Sequence, residues 1–149
     1  MSDPKPVHIL VAEDNPADVF LIREALAENG VHYTLESVDN GEKAVERISR
    51  FGNDPDAELP QLIVLDLNLP RLDGTEILRV VRQNAALREV PVVILTSSDS
   101  PQDRVSTARL GATMYLRKPS NLDDFLKIGA DLKRIIVSGH TLGAPASGN

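Results

Sequence analysis

The run Pro60-Gln61-Leu62-Ile63-Val64-Leu65-Asp66-Leu67-Asn68-Leu69-Pro70 has the composition of a buried strand, yet it carries a carboxylate at its end. A fully buried, unpaired aspartate is costly or takes up a proton. Asp66 therefore has a partner, sits at an open edge, or does chemistry. Suitable partners close other apolar runs: Glu13-Asp14 follows Val7 to Ala12, Thr96-Ser97 ends Val90 to Thr96, and Arg117-Lys118-Pro119 ends the run from Met114. Two carboxylates ~4 Å apart repel by about 4 kcal/mol at an effective dielectric of roughly 20. Glu13, Asp14 and Asp66 would not share one place ionised without cations. Two sources suit them, the Lys118 ammonium and a divalent metal. An all-oxygen set fits Mg²⁺ (or Mn²⁺), which keeps waters and uses only one or two carboxylates directly. Such an ion favours phosphate chemistry, with Asp66 as a candidate nucleophile that becomes an aspartyl-phosphate. In-line transfer needs mainly positioning and charge neutralisation. Lys118 would supply charge, and Thr96 a hydrogen bond to an equatorial oxygen.

These groups act together only if the fold brings four distant segments to one rim. Val7 to Ala12, Gln61 to Leu67 and Val90 to Thr96 are short, β-branched and apolar without alternation. That pattern marks strands covered on both faces, as in parallel sheets. Tyr33 to Val38 and Met114 to Arg117 are weaker strands. Helical spacing fills the intervals. Asn15-Pro16 reads as N-cap and first helical residue, with Phe20, Leu21, Ala25 and Leu26 following and Gly30 as the stop. Glu42 to Phe51 and Thr75 to Gln83 are further helices. Ser100-Pro101 opens a fourth that ends near Gly111. Ser120-Asn121-Leu122-Asp123 reads as a capping box for a last helix through about Ile136. Asp73-Gly74 reads as a simple turn. Strand and helix thus alternate five times, which predicts a doubly wound α/β fold with a five-stranded parallel sheet in the order 2-1-3-4-5. Ligands of such sheets sit beyond the carboxyl ends of the strands, at the switch point between strands one and three. Glu13, Asp14, Asp66, Thr96 and Lys118 all fall there.

The chain has 149 residues, which suits one domain; 42% are apolar and only 3% aromatic, so Leu, Ile, Val and Ala make the core. We read residues 1–6 as an N-terminal extension, 7–137 as the domain and 138–149 as a flexible tail of small residues. A net charge of −6 argues against gripping nucleic acid. The absence of cysteine removes disulfides, zinc-thiolate sites and thiol nucleophiles. No signal-peptide pattern and no membrane-length apolar run is present, so a cytoplasmic protein is expected.

Glu13-Asp14 after the first strand, "DLNLPRLDG" from Asp66 to Gly74, Thr96, Tyr115 and Lys118-Pro119 together resemble the receiver domain of two-component response regulators. Each motif is weak alone; their order, each at or near a strand end, is specific. The resemblance implies that Asp66 is the phosphoacceptor, Asp14 a direct metal ligand, and Glu13 an acid that often acts through water. It implies a metal contact from the Asn68 carbonyl, phosphate binding by Lys118, and a cis bond between Lys118 and Pro119. Thr96 and Tyr115 match the switch pair, in which the hydroxyl moves to the phosphoryl group and the ring turns inward. The long loop before the third strand, "VVILTSSDS" and "KPSNLDDF" are similar to the small response regulators of cyanobacterial and bacterial phytochromes. That likeness implies a sensor histidine kinase as partner, a bacteriophytochrome among the candidates. It also implies a tendency to dimerise, and the apolar end of the last helix, with Leu142 following in the tail, leads us to expect a homodimer through the last strand and helix with the tail contributing.

The same fold has other uses. A phosphorelay carrier or phosphate sink would use the same residues. A flavodoxin-like electron carrier would need a Ser/Thr/Gly-rich loop for the FMN phosphate, where this chain has "EDNPAD". An aspartyl-phosphate phosphohydrolase would carry a second acid two residues beyond its nucleophile, where this chain has Asn68. We therefore expect a self-modifying phosphoacceptor rather than an enzyme with turnover. His8, His32 and His140 lack metal spacing. Ile135, Ile136 and Val137 suit either the core or a dimer contact.

Overall fold

The computed structural model describes residues 5–141. The elements run β1 (Val7–Ala12), α1 (Pro16–Glu28), β2 (Tyr33–Val38), α2 (Gly41–Arg50), β3 (Leu62–Leu65), α3 (Gly74–Gln83), a 3-10 turn (Ala85–Leu87), β4 (Val92–Thr96), α4 (Pro101–Arg109), β5 (Met114–Arg117) and α5 (Leu122–Thr141). The strands form one parallel sheet in the order β2-β1-β3-β4-β5, as the alternation of elements predicts.

Both faces of the central strands are buried, which explains their lack of alternation. Leu10, Ala12, Ile63, Leu65, Val92 and Ile94 point to one face, against Ala44 and Ile48 of α2 and Ile77, Leu78 and Val81 of α3. Their neighbours Ile9, Val11, Leu62, Val64, Val93 and Leu95 point to the other, against Ile22 and Leu26 of α1 and Phe125, Ile128 and Leu132 of α5. The edge strands β2 and β5 are only half-buried, and they read weakly in the sequence for that reason.

Two glycines mark close approaches between elements. A Cβ on Gly74 would lie 2.6 Å from the Asp66 carbonyl oxygen, so α3 starts directly against the end of β3. A Cβ on Gly129 would lie 2.1 Å from the Ala25 carbonyl oxygen, so α5 packs on the backbone of α1. Asn29 fastens that pair, its amide donating to Ala25 O at 2.8 Å and to Leu126 O at 3.4 Å.

Several boundaries differ from expectation. β3 is shorter than Gln61 to Leu67, and Asp66 lies one residue beyond it. Asp73 is not a simple turn residue; its carboxylate caps α3 by accepting from Thr75 N and Glu76 N. The last helix is capped one residue later than read, Asn121 Oδ1 accepting from Asp124 N at 2.8 Å. It also continues past Ile136 to Thr141, so residues 138–141 are helical rather than tail. The helix continues because Ile135 and Ile136 still dock on the core. Residues 1–4 of the extension and 142–149 of the tail, with Leu142, lie outside the described residues. The Lys118-Pro119 bond is trans, as are all peptide bonds among the described residues; trans is the lower-energy isomer, and Lys118 reaches its partners with it. No helix among the described residues is long and apolar enough to cross a membrane.

Candidate phosphoacceptor site

Ladder bonds deliver the chemistry to one rim. Glu13 N donates to Val38 O at 2.9 Å, Asp66 N to Ala12 O at 3.0 Å and Lys118 N to Thr96 O at 2.8 Å. Each bond continues a strand pair by one residue, so the side chains emerge where the sheet stops. Glu13, Asp66 and Thr96 are buried there, while Asp14 is exposed.

Lys118 is the hub. Its Nζ lies 2.7 Å from Glu13 Oε1, 2.8 Å from Asp18 Oδ2 and 2.9 Å from Asp66 Oδ2. An ammonium has three donors, and these contacts use them all. Burial would lower the lysine pKa, but the bonds to Asp18, Glu13 and Asp66 outweigh it and raise the value. Burial acts on Asp66 in the raising direction. The Asn68 N–H, which donates to Asp66 Oδ1 at 3.1 Å, then Lys118 and the Thr96 hydroxyl overcome it, leaving the pKa below the ordinary carboxylate value. Asp66 is thus held ionised, as a nucleophile must be. Glu13 differs. Burial, helped by the charge of Asp66, pushes it up to about 7 despite its bonds from Lys118 and Asn15 N–H.

One carboxylate oxygen from each of Glu13, Asp14 and Asp66 lies within 4.8 Å of the others. Asp14 has no side-chain partner among the described residues. This set fits a divalent cation: all donors are oxygens, one carboxylate is free, and another is raised by burial with help from the charge of Asp66.

Asn68 and Tyr115 lie close by. Asn68 is exposed, and its amide donates to Thr96 Oγ1 at 3.4 Å. Ser98 N donates to the same hydroxyl at 3.4 Å. Tyr115 is half-buried on β5, its hydroxyl donating to Ser98 O at 3.0 Å, and the Arg104 guanidinium sits 4.5 Å from its ring centre. Arg117 points outward to Asp99, 3.5 Å away, and takes no part. His8 lies on β1 between Thr34 Oγ1 at 2.7 Å and Glu58 at 2.6 Å, far from the acids along the strand. Lys127 and Arg134 are exposed and pair with Asp124 and Asp131 on their own helix. Sequence reasoning missed Asp18 as a member of the site. The signal available was its place as the third acid of "EDNPAD".

The response regulator receiver domain profile matches residues 9–129. The chain is 35% identical to response regulator Rcp1 of Synechocystis over 139 residues, 93% of this chain and 95% of that protein. The structure of the phosphorylated cyanobacterial phytochrome response regulator RcpA superposes with a TM-score of 0.81 at 34% identity, covering 90% of this chain and 96% of the other. That of the Mn²⁺-bound form of Rcp1 gives 0.77 at 35% identity, over 86% and 92%. With the acids, the lysine and the threonine at the carboxyl ends of a 2-1-3-4-5 sheet, these similarities show that the chain belongs to the response regulator receiver domain family.

Proposed function

We propose that this protein is a two-component signalling switch that takes a phosphoryl group from a histidine kinase onto Asp66. The observation that carries the reading is the buried Asp66 carboxylate, 2.9 Å from Lys118 Nζ, with oxygens of Glu13 and Asp14 within 4.8 Å. In the transfer, the N–P bond of a phosphohistidine breaks as an Asp66 oxygen bonds to phosphorus, and the histidine nitrogen keeps the electron pair. Glu13 and Asp14, with Asp66 and the Asn68 carbonyl, would hold Mg²⁺ or Mn²⁺. When bound, that ion would supply positive charge to the phosphoryl oxygens. In autodephosphorylation a water oxygen bonds to phosphorus as the Asp66 O–P bond breaks, and Asp66 regains its carboxylate. Lys118 neutralises the opposite side.

Thr96 and Tyr115 form the output. Thr96 Oγ1 now accepts from Ser98 N, while Ser98 O accepts from the Tyr115 hydroxyl. A hydroxyl drawn toward a phosphoryl group leaves Ser98 and loosens the bond that holds Tyr115. The surface of α4, β5 and α5 then shifts between two populations. Similarity to Rcp1 and RcpA supports a phytochrome-type kinase as the donor. We read the exposed Val137 as support for a homodimer through β5 and α5, whereas Ile135 and Ile136 belong to the core. A monomeric mass at micromolar concentration, phosphorylated or not, would remove the dimer.

The direct test is labelling by acetyl phosphate with Mg²⁺, followed by intact mass. The parent gains one phosphoryl group and Asp66→Asn gains none. Undiminished labelling of Asp66→Asn would remove Asp66 from the role.

A further inference from the structure

We propose that Asp18 is a positioning residue for phosphoryl transfer, anchoring the Lys118 ammonium from the side of α1. The inference rests on the reading of Asp66 as phosphoacceptor and adds to it a residue outside the acid, lysine and threonine set.

Asp18 stands at the third position of α1. An acid there ordinarily turns back to the backbone N–H of the N-cap residue. That N–H is already taken, since Asn15 N donates to Glu13 Oε2 at 3.0 Å. The Asn15 side chain caps the helix by accepting from Ala17 N at 3.0 Å. Asp18 is therefore released from capping, and it reaches a residue 100 positions away, 2.8 Å from Lys118 Nζ. Side-chain exposure is only 17% for Asp18 and 12% for Lys118, so water competes weakly for the contact. Both backbones are fixed at the rim, Asp18 N donating to Asn15 O at 3.0 Å and Lys118 N to Thr96 O at 2.8 Å.

The geometry assigns different work to the three partners of Lys118. With acetyl phosphate, the acetate–phosphorus O–P bond breaks, an Asp66 oxygen bonds to phosphorus, and acetate leaves with the electron pair. No proton is transferred. Asp66 gives up its carboxylate charge in becoming an acyl phosphate, and the incoming group carries negative oxygens. The donor of Lys118 that served Asp66 Oδ2 becomes available to those oxygens. Glu13 and Asp18 keep theirs. With only Glu13 holding it, the ammonium could swing about that contact, and misplacement by about 1 Å can cost as much as ~100-fold in rate.

The test is phosphorylation by acetyl phosphate in Mg²⁺, with rates from intact mass and folding checked by urea unfolding. Asp18→Ala should slow the rate at saturating Mg²⁺ about tenfold and change half-saturating Mg²⁺ by less than about twofold. Asp18→Asn, which keeps an acceptor oxygen, should recover to within about threefold of the parent and serves alone if the alanine variant does not fold. In a Lys118→Ala background, Asp18→Ala should change the residual rate by less than about twofold. If that background is too slow to measure, the division between maximal rate and Mg²⁺ half-saturation decides. An unchanged or faster rate for Asp18→Ala overturns the proposal. So does an equal loss with and without Lys118, or a loss confined to Mg²⁺ half-saturation. Asp66→Asn run alongside separates the two readings: labelling there defeats the phosphoacceptor, whereas abolished labelling with a flat Asp18 series defeats only the anchor.

Discussion

Replacing Lys118 by methionine probes the electrostatics of the site most directly. The side chain keeps its approximate length and loses its charge, leaving Glu13, Asp18 and Asp66 without a shared cation. Removing one partner of a buried ion pair costs about 3–5 kcal/mol. The site has an escape, because Glu13 can take a proton. Its pKa stands at about 7 in the folded protein against 4.5 ordinarily, chiefly through burial. A carboxylate raised in this way binds its proton more tightly when folded. Its protonation therefore favours the fold at low pH, and that contribution is lost as pH rises from 4.5 to about 7. Losing the Lys118 bond, which pulls Glu13 down, moves the upper end of that window higher. We expect Lys118→Met to lose about 3 kcal/mol at pH ~8 without divalent ions, and about 1–2 kcal/mol at pH ~5.5, where Glu13 is neutral in both proteins. Saturating Mg²⁺ should restore more stability to the variant than to the parent, since the ion meets a less neutralised cluster. Urea unfolding followed by circular dichroism at the two pH values measures all of this. A loss under about 1 kcal/mol at pH ~8, or a loss that does not grow with pH, would refute the picture of one lysine neutralising a buried acid cluster.

Three further outcomes follow from particular contacts. Mg²⁺ affinity, measured by calorimetry because the chain has no tryptophan, should fall as pH drops below about 7, since Glu13 must release its proton; Glu13→Gln should flatten that dependence. Gly74→Ala places a Cβ 2.6 Å from Asp66 O; we expect a loss of about 1–3 kcal/mol in urea unfolding and slower labelling of Asp66. Arg82 donates to Gly111 O at 2.8 Å, Val90 O at 2.8 Å and Leu87 O at 3.2 Å. Arg82→Ala should cost about 2 kcal/mol in the same assay by leaving those carbonyls without a charged donor.

The pairings that place Glu13, Asp66 and Lys118 at the rim were legible, because a strand buried on both faces announces itself by composition and a parallel sheet exposes all its carboxyl ends on one side. Helix starts marked by a local signal were legible too, as at Asn15-Pro16 and Ser100-Pro101. The cap at Asp73 is not legible because "DG" serves a turn and an N-cap equally well, and only the backbone beyond it distinguishes them.

By itself, the order of residues determined the layered architecture and which strand-end polar groups reach its rim, since both follow from periodicity and from where apolar runs stop. Contacts between elements far apart in the chain were decided only by tertiary packing. Asp18 meets Lys118 because the start of α1 and the end of β5 reach the same rim of the sheet, Lys118 N being fixed on Thr96 O. Ile135 and Ile136 turn to the core while Val137 faces solvent, and Arg117 points away from the acids. Each of these depends on the rotation and spacing of one element against another, quantities that no short window of sequence contains.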